Sequence, residues 1–305
     1  MNKTKIVSSL FLVFFFMITL LNGCSYEDEG AEEERIKLQK YLEKMGYSNL
    51  EPTNSGLYHI VLEESDGETP ELSDYVNIKF TGKLVDGKVF DTSDRDSAVV
   101  HGILRDDKIY GPTRFLLVTL GFPGLREGLT LVKEGGKSRI IIPSYLAYGA
   151  TDYGIIPPYS TLIYDVELLD VISDPVSHEQ ELLDAFIEQN QITAEPTGSG
   201  LYFIEEVQGT GDIPADNQSV TLHYKGLFLD GRVFDESESD KPLVIQMNTS
   251  SIIPGFIEGV KMMRQGGKAR LIIPWDKGYG SSGSSNGVIP PYSTVIFDIE
   301  IVSIQ

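Results

Sequence analysis

Phe80–Asp91 reads FTGKLVDGKVFD, and Tyr224–Asp235 reads YKGLFLDGRVFD. The two stretches share Gly-x-x-x-Asp-Gly-x-Val-Phe-Asp at identical spacing and lie 144 positions apart. Outward from them, GGKSRIIIP (Gly135–Pro143) returns as GGKARLIIP (Gly266–Pro274) at an offset of 131. GIIPPYSTLIYDVELL (Gly154–Leu169) returns as GVIPPYSTVIFDIEIV (Gly287–Val302) at an offset of 133. A repeat this long is a duplicated domain, because solenoid units are much shorter. The shifting offset locates the differences: the first copy carries 13 more residues between Asp91 and Phe122, and the second two more between Gly280 and Gly287. Loops tolerate such insertions.

Val76–Phe80 and Val220–Tyr224 alternate like half-buried strands, and Asp86-Gly87 and Asp230-Gly231 are hairpin turn signals. Pro123–Lys133 places Leu125, Leu129 and Val132 at helical spacing, and Pro254–Arg264 does the same with Phe256, Val260 and Met263. A Gly-Gly pair then opens a strand, Arg139–Ile142 or Arg270–Ile273, and the last strand is Thr161–Leu169 or Thr294–Val302. Upstream of each module lies an amphipathic helix: Arg35–Met45 with Leu38, Tyr41, Leu42 and Met45, and Glu179–Gln189 with Leu183, Phe186 and Ile187. Each leads into Glu-Pro-Thr-x-Ser-Gly-Leu-Tyr, at Glu51–Tyr58 and Glu195–Tyr202. These patterns predict an α+β fold: two tandem domains, each an antiparallel sheet wrapped on one short helix and preceded by an amphipathic helix. The helices can pack on their own domain or on each other.

The N-terminus reads as an address. Lys3 and Lys5 precede a nearly unbroken apolar run, Ile6–Leu21, short for a ~20-residue membrane helix. Leu21-Asn22-Gly23-Cys24 follows and resembles the bacterial lipobox, in which the cysteine is acylated; a membrane anchor or cleaved signal with a chance cysteine is the alternative. Cys24 is the only cysteine, which excludes intramolecular disulfides. The expected division is 1–23 signal peptide, 24–34 acidic tether, 35–172 first helix and domain, and 173–305 linker helix and second domain. Pro175 reads as part of a semi-rigid connection at Asp174–Ser177. A net charge of −20 argues against nucleic acid and against electrostatic docking on anionic lipid. The acidic stretch Ser25–Glu34 reads as a solvated tether; its place after Cys24 also resembles a surface-export tag of Bacteroidetes lipoproteins.

The blocks over Val76–Ile172 and Val220–Ile304 resemble the FKBP-type peptidyl-prolyl cis-trans isomerases. The order carries the resemblance: a Tyr-x-Gly strand, an Asp-Gly turn, Val-Phe-Asp, a Pro-Gly helix, Gly-Gly-Lys, Tyr-Gly, Ile-Pro-Pro and Phe-Asp-x-Glu. The doubled layout behind a lipobox is also similar to FKBP-like lipoproteins associated with gliding motility in Bacteroidetes. Carried over by position, the resemblance implies catalytic roles for Tyr224, Phe234, Asp235, Ile253, Phe256, Tyr279 and Phe297, with Leu243, Ile252, Val288 and Ile289 completing the second pocket. The first domain offers Phe80, Phe90, Asp91, Phe122, Leu125, Tyr148, Ile155, Ile156 and Tyr164 for binding. Phe256 replaces the family's common Trp floor. The first domain departs further: Phe80 lacks the usual Tyr hydroxyl, Gly121 stands where an aliphatic wall is expected, and Leu125 replaces the aromatic floor. The resemblance implies that Asp235 bonds Tyr224, a pairing unavailable to Asp91 at Phe80, and that the long loop Thr92–Arg114 borders the first pocket.

The implied activity is isomerisation of X–Pro bonds in exported or envelope proteins, the second domain being the active one, with no cofactor and no metal. Proline-containing clients, the membrane reached through lipid on Cys24, and the family's macrolide ligand are the expected partners, at an outer-membrane, periplasmic or surface location. A non-catalytic proline-binding or chaperone-like lipoprotein, in an envelope or motility assembly, is the alternative. Taken singly, the aromatic and Ile positions would be ordinary core, and only their joint order points to a pocket. His59, His101, His178 and His223 lack metal-ligand spacing, and no nucleophile elbow or phosphate loop occurs. DTSDRD (Asp91–Asp96) lacks the Gly and distal Glu of a Ca²⁺ loop and reads as charged surface.

Overall fold

A computed structural model describes residues 29–305. The first domain runs α1 (Glu29–Lys44), β1 (Tyr58–Glu63), β2 (Tyr75–Leu84), β3 (Val89–Thr92), α2 (Arg95–Val100), β4 (Thr113–Leu116), α3 (Pro123–Leu129), β5 (Lys137–Ile142) and β6 (Leu162–Ile172). The second repeats the plan without a counterpart of α2. It runs α4 (Pro175–Gln189), β7 (Tyr202–Val207), β8 (Ser219–Phe228), β9 (Val233–Glu236), β10 (Leu243–Gln246), α5 (Pro254–Met262), β11 (Lys268–Ile273) and β12 (Val295–Ile304). Each domain is one six-stranded sheet. The order β1-β5-β6-β2-β3, with β4 also on β2, answers β7-β11-β12-β8-β10, with β9 also on β8. Every pairing is antiparallel.

The sheets are covered on both faces, which explains the unbroken apolar run of their central strands. Ile140 and Ile142 join the cluster that holds Leu125 and Leu129 of α3, while Ile141 and Ile163 meet Leu38 and Leu42 of α1 on the other side. The second domain repeats this with Leu271 and Ile273 toward α5, and with Ile272 and Ile296 toward Leu183 of α4. Each amphipathic helix therefore packs on its own domain, and each fully buried Leu contributes ~1.5–3 kcal/mol. Close approach of α5 to the sheet depends on Gly255 and Gly259, where a Cβ would strike Ile273 and Leu271.

Helix α1 starts earlier than the hydrophobic periodicity indicates and takes in residues 29–34 of the acidic stretch. Glu34 is only 6% exposed, so it is no part of a solvated tether. Its carboxylate accepts from the Ser144 N–H at 2.6 Å, from the Thr161 hydroxyl at 2.7 Å and from the Ser144 hydroxyl. A buried carboxylate is stable where such donors replace water. Glu179 does the same in α4, 3% exposed and accepting from the Thr294 N–H at 2.6 Å. The connection at Asp174–Ser177 is helix rather than linker: Asp174 caps α4, accepting from the Val176 and Ser177 amides, and Pro175 sits in its first turn. Within DTSDRD, Asp94 caps α2 by accepting from the Ser97 N–H at 2.6 Å. The expectations for Lys3, Lys5, the apolar run and Cys24 lie outside the described residues.

The domains meet along the outer side of β2 and β4. The edge of the Tyr75 ring meets Tyr292 at 6.0 Å, and Tyr292 packs on Trp275 at 4.9 Å. Arg114 Nη1 pairs with Glu179 Oε2 at 3.2 Å, both side chains nearly buried, and donates to the Pro291 carbonyl at 3.4 Å. Arg232 Nη1 donates to the carbonyls of Pro112 at 3.1 Å and Tyr110 at 3.4 Å.

Candidate active site

In the second domain the Tyr-x-Gly signature has a steric cause. Phe234 lies against the strand at Gly226, where a Cβ would sit 2.5 Å from its Cε2 atom. Phe297, paired with Gly226 across the sheet, becomes the hub of an aromatic cage. Its ring meets Phe256 at 5.0 Å and Phe234 at 5.5 Å, both nearly perpendicular, and Tyr224 at 6.1 Å. Such edge-to-face geometry suits the ring quadrupoles. Phe256 is 3% exposed and forms the floor from α5, and Ile289 is 4% exposed. Leu243, Ile252, Ile253, Tyr279 and Val288 pack around them half-buried. All the residues assigned to this pocket from the sequence thus belong to one apolar cluster or, as Asp235 does, lie at its rim.

The polar groups are few. The Tyr224 hydroxyl donates to Asp235 Oδ2 at 2.7 Å, the pairing expected from the resemblance. Burial, reinforced by that bond, pushes the Tyr224 phenol above its ordinary range. Burial also raises the Tyr279 phenol, with Asp235 adding to the effect. Both phenols are therefore neutral hydroxyls over the physiological range. Ile253 is the N-cap residue of α5, without a side-chain cap, so its backbone stands where the helix opens.

The first domain gathers its assigned residues differently. Tyr164 takes the hub position, its ring 5.7 Å from Phe90 and 6.0 Å from both Phe80 and Phe122. The hydroxyl absent at Phe80 is thus matched by one at Tyr164, which is 6% exposed and whose acidity burial suppresses. Phe122 meets Tyr148 at 5.3 Å, and Tyr148 lies 4.3 Å from Tyr153. Burial, then Tyr153 and Asp91, raise the Tyr148 phenol. Leu125 is buried below, and a Cβ at Gly121 would enter open space, so the aliphatic wall is missing. Ile155 and Ile156 line the same cavity of about 200 Å³ as Phe90, Asp91, Tyr148 and Tyr164.

Asp91 finds a partner that sequence reasoning missed. Lys108, from the long loop, forms an ion pair with its carboxylate, and the ammonium stands 5.5 Å from the centres of the Phe80 and Tyr110 rings. Lys108 thus replaces the absent tyrosine hydroxyl with a cation. Ile103, Arg105 and Tyr110 of the same loop also line the cavity, so the loop borders the first pocket as expected. The available signal was the surplus between Asp91 and Phe122, together with an aspartate deprived of its partner. His59 and His223 are bonded to Ser138 at 3.0 Å and Ser237 at 3.1 Å, as structural residues.

Sequence similarity to known proteins extends over both domains. The sequence model of the FKBP-type peptidyl-prolyl cis-trans isomerase family matches residues 66–169 and 211–302. Human peptidyl-prolyl cis-trans isomerase FKBP9 is 30% identical over 236 residues, which cover 77% of this chain and 35% of that protein. FKBP-type peptidyl-prolyl cis-trans isomerase FkpA of Escherichia coli K12 is 36% identical over 159 residues, covering 52% of this chain and 54% of FkpA. This chain therefore spans only about a third to a half of the length of these two relatives. The crystal structure of FkpA from Escherichia coli, at 37% identity, covers 47% of this chain and 62% of that one with a TM-score of 0.38.

Proposed function

Because this chain belongs to the FKBP-type peptidyl-prolyl cis-trans isomerase family, we propose that it isomerises X–Pro bonds, chiefly in its second domain. Rotation about a peptide bond faces a barrier of ~18–20 kcal/mol because twisting breaks resonance. The X–Pro bond has little ground-state preference yet interconverts in tens to hundreds of seconds. A twisted amide has lost charge separation, so an apolar cavity penalises it less than the planar form. That difference is the condition for rate enhancement. Phe234, Phe256 and Phe297 grip the proline ring, while the Tyr279 hydroxyl and the Ile253 amide orient the flanking carbonyls. The Tyr224–Asp235 bond holds the upper wall. No proton transfer is required.

The observation that carries this reading is the aromatic cage around Phe297 with the Tyr224–Asp235 bond at its rim. A protease-coupled prolyl-peptide assay on the chain, its Tyr279→Phe and Tyr148→Phe variants and the double variant tests it. Activity that falls chiefly with Tyr279→Phe supports the assignment. Activity unaffected by either change removes it.

For the first domain a binding role is the better-supported reading. Lys108 stands at Asp91, Gly121 leaves one wall open, and Leu125 gives an aliphatic floor. Proline-segment binding with slow turnover fits that set, as in a chaperone-like lipoprotein of an envelope or motility assembly. Clients would be exported proteins, for which proline isomerisation is a slow folding step. Residues 1–23 would be removed as a signal peptide and Cys24 lipidated, leaving domains at 29–172 and 173–305, the first beginning with α1, anchored in the cell envelope. Among the described residues no helix is long and apolar enough to cross a membrane. A macrolide would enter the second pocket over Phe256. Mass determination of the membrane-extracted protein checks the lipid, and loss of membrane association in Cys24→Ser follows from it.

A further inference from the structure

The duplication gives this chain two copies of a cleft between the leading helix and the sheet, and only one copy is covered. In the second domain the cleft lies between α4, the β8–β9 turn and the Pro290–Ser293 segment, and the first domain closes over it. Arg114 reaches in to pair with Glu179 and to donate to the Pro291 carbonyl. Asn77 and Pro112 line the same cleft, and Ile109 of the loop before β4 packs on the second domain's apolar cluster. Pro290 and Pro291 are half-buried beneath this contact.

The first domain has the equivalent cleft, between α1, the β2–β3 turn and the Pro157–Ser160 segment, with a volume of about 440 Å³. All of its lining residues belong to the first domain, and Pro157 and Pro158 are exposed. Two sets of exchanges have changed its chemistry. Ser144 stands where the second domain has Trp275, so Glu34 accepts from both Ser144 donors and needs no arginine. Lys37, Lys40 and Lys44 stand where α4 has Leu182, Ala185 and Gln189. At i, i+3 and i+7 they share one face of α1, and all three line the cleft. Lys37 has an exposed pair with Glu33 at 3.3 Å, whereas Lys40 and Lys44 have no ion pair among the described residues. The acidic groups of the lining are Glu34, whose donors are already in place, and Asp86, which accepts from the Lys88 N–H in its own turn. In a chain of net charge −20, the lysine wall is a local reversal of sign.

We propose that this cleft binds an extended acidic segment of another polypeptide. Its carboxylates meet Lys37, Lys40 and Lys44, and an apolar neighbour rests on Tyr41 and Val85, which belong to the cluster beneath α1. The second domain shows that a cleft of this shape accepts polypeptide, and the lysines invert the charge of what enters: an arginine there, carboxylates here. A second copy of the chain cannot repeat the contact seen at the second domain. The register position of Arg114 is held by Val244, and the loop that carries Ile109 shrinks from residues 93–112 to 237–242. The cleft lies on the α1 side of the sheet, opposite the aromatic pocket, so the proposal does not depend on prolyl isomerisation.

The test uses the full chain and two short, labelled, proline-free peptides, one alternating Glu with Leu and the other Gln with Leu. Affinity is read by fluorescence anisotropy. Exposed charge pairs are individually weak, so the three together should favour the Glu peptide by about 10-fold. The triple variant Lys37→Gln, Lys40→Gln, Lys44→Gln should lose most of that preference. Asp86→Asn, which keeps an acceptor in the turn, should tighten the Glu peptide by about 2-fold. A second triple variant, Lys225→Gln, Lys261→Gln, Lys268→Gln, removes the same charge from exposed sites of the second domain and should leave the affinity within about 2-fold of the parent. Equal losses in the two triple variants overturn the proposal, because bulk charge would then explain the binding. Equal binding of the two peptides by the parent, or binding of neither, overturns it as well. Displacement of the Glu peptide by inorganic phosphate at constant ionic strength reduces the cleft to a simple anion site. Vesicles of equal parts phosphatidylglycerol and phosphatidylcholine that capture the parent but not the first triple variant assign the lysines to a membrane surface instead, and either result overturns a polypeptide partner.

Discussion

Glu179 is the side chain whose removal should be felt most widely. Its carboxylate accepts from the Thr294 amide at 2.6 Å, where β12 begins, and pairs with Arg114 of the other domain at 3.2 Å. The two side chains are 4% and 11% exposed, so water does little screening. Glu179→Ala strands a guanidinium and an amide together, and breaking a buried pair from one side costs ~3–5 kcal/mol. With a urea slope of ~2 kcal/mol per M, the unfolding midpoint falls by about 1.5–2.5 M. Glu179→Gln keeps an acceptor for Thr294 and loses only the charge, so its shift should be about half as large. The assay is selective because the chain has a single tryptophan, Trp275, which lies in the second domain against Tyr292. Its fluorescence follows that domain, whereas far-UV circular dichroism follows both. Glu34→Ala provides the contrast: its donors belong to Ser144 and Thr161 of the first domain, so it should move the dichroism and leave the Trp275 transition in place. A Trp275 midpoint within ~0.5 M of wild type in Glu179→Ala would refute the reasoning, because a buried charge would then have been removed at no cost.

Gly226→Ala pushes a methyl into the Phe234 and Phe297 rings and should cost ~1–3 kcal/mol; activity on prolyl peptides should fall at least as sharply, while Gly231→Ala in the turn leaves the cage geometry alone. Burial alone would raise the Asp165 carboxyl, but the bonds from Arg139 and Lys83 outweigh it and hold it below its usual value. Stability tied to Asp165 is therefore full above the unfolded pKa of ~3.9 and lost as pH falls through the folded value, so Asp165→Asn should flatten the acid limb of an unfolding-versus-pH curve below about pH 4. Lys108→Met removes the cation from Asp91, and the Tyr148 ring resonances in an NMR spectrum should shift; unmoved Tyr148 resonances would contradict the pairing seen here.

The sheet, its central helix and the second pocket were legible because their determinants are local or duplicated. Asp-Gly turns, Gly-Gly breaks and period-two alternation each name a conformation, and a second copy checks every reading. Phe256 and Phe297 could be placed because their spacing within the motif fixes the face on which they lie. Glu34 was not legible, since nothing in an acidic run distinguishes a carboxylate that caps a loop 110 residues away from its solvated neighbours. Lys108 and Ile109 escaped for a related reason. Their loop has no counterpart in the other copy, and its destination depends on how the domains dock. Pro175 misled because the same ring that stiffens a linker also suits the first turn of a helix, and the cap at Asp174 decides between them.

Duplicated domains begin as spare parts for one another. The loop 93–112 ends that equivalence, since it lines one pocket with Lys108 and Tyr110 and the other with Ile109. A chain with the modules in reverse order would set the short 237–242 segment at the junction and take Ile109 from the second module's side, while the first module would keep its own loop. Two tethered copies of the second module would lack Ile109 as well. The order of the modules has thereby become part of the protein's chemistry, and further divergence of either copy is constrained by the side chains of its sibling.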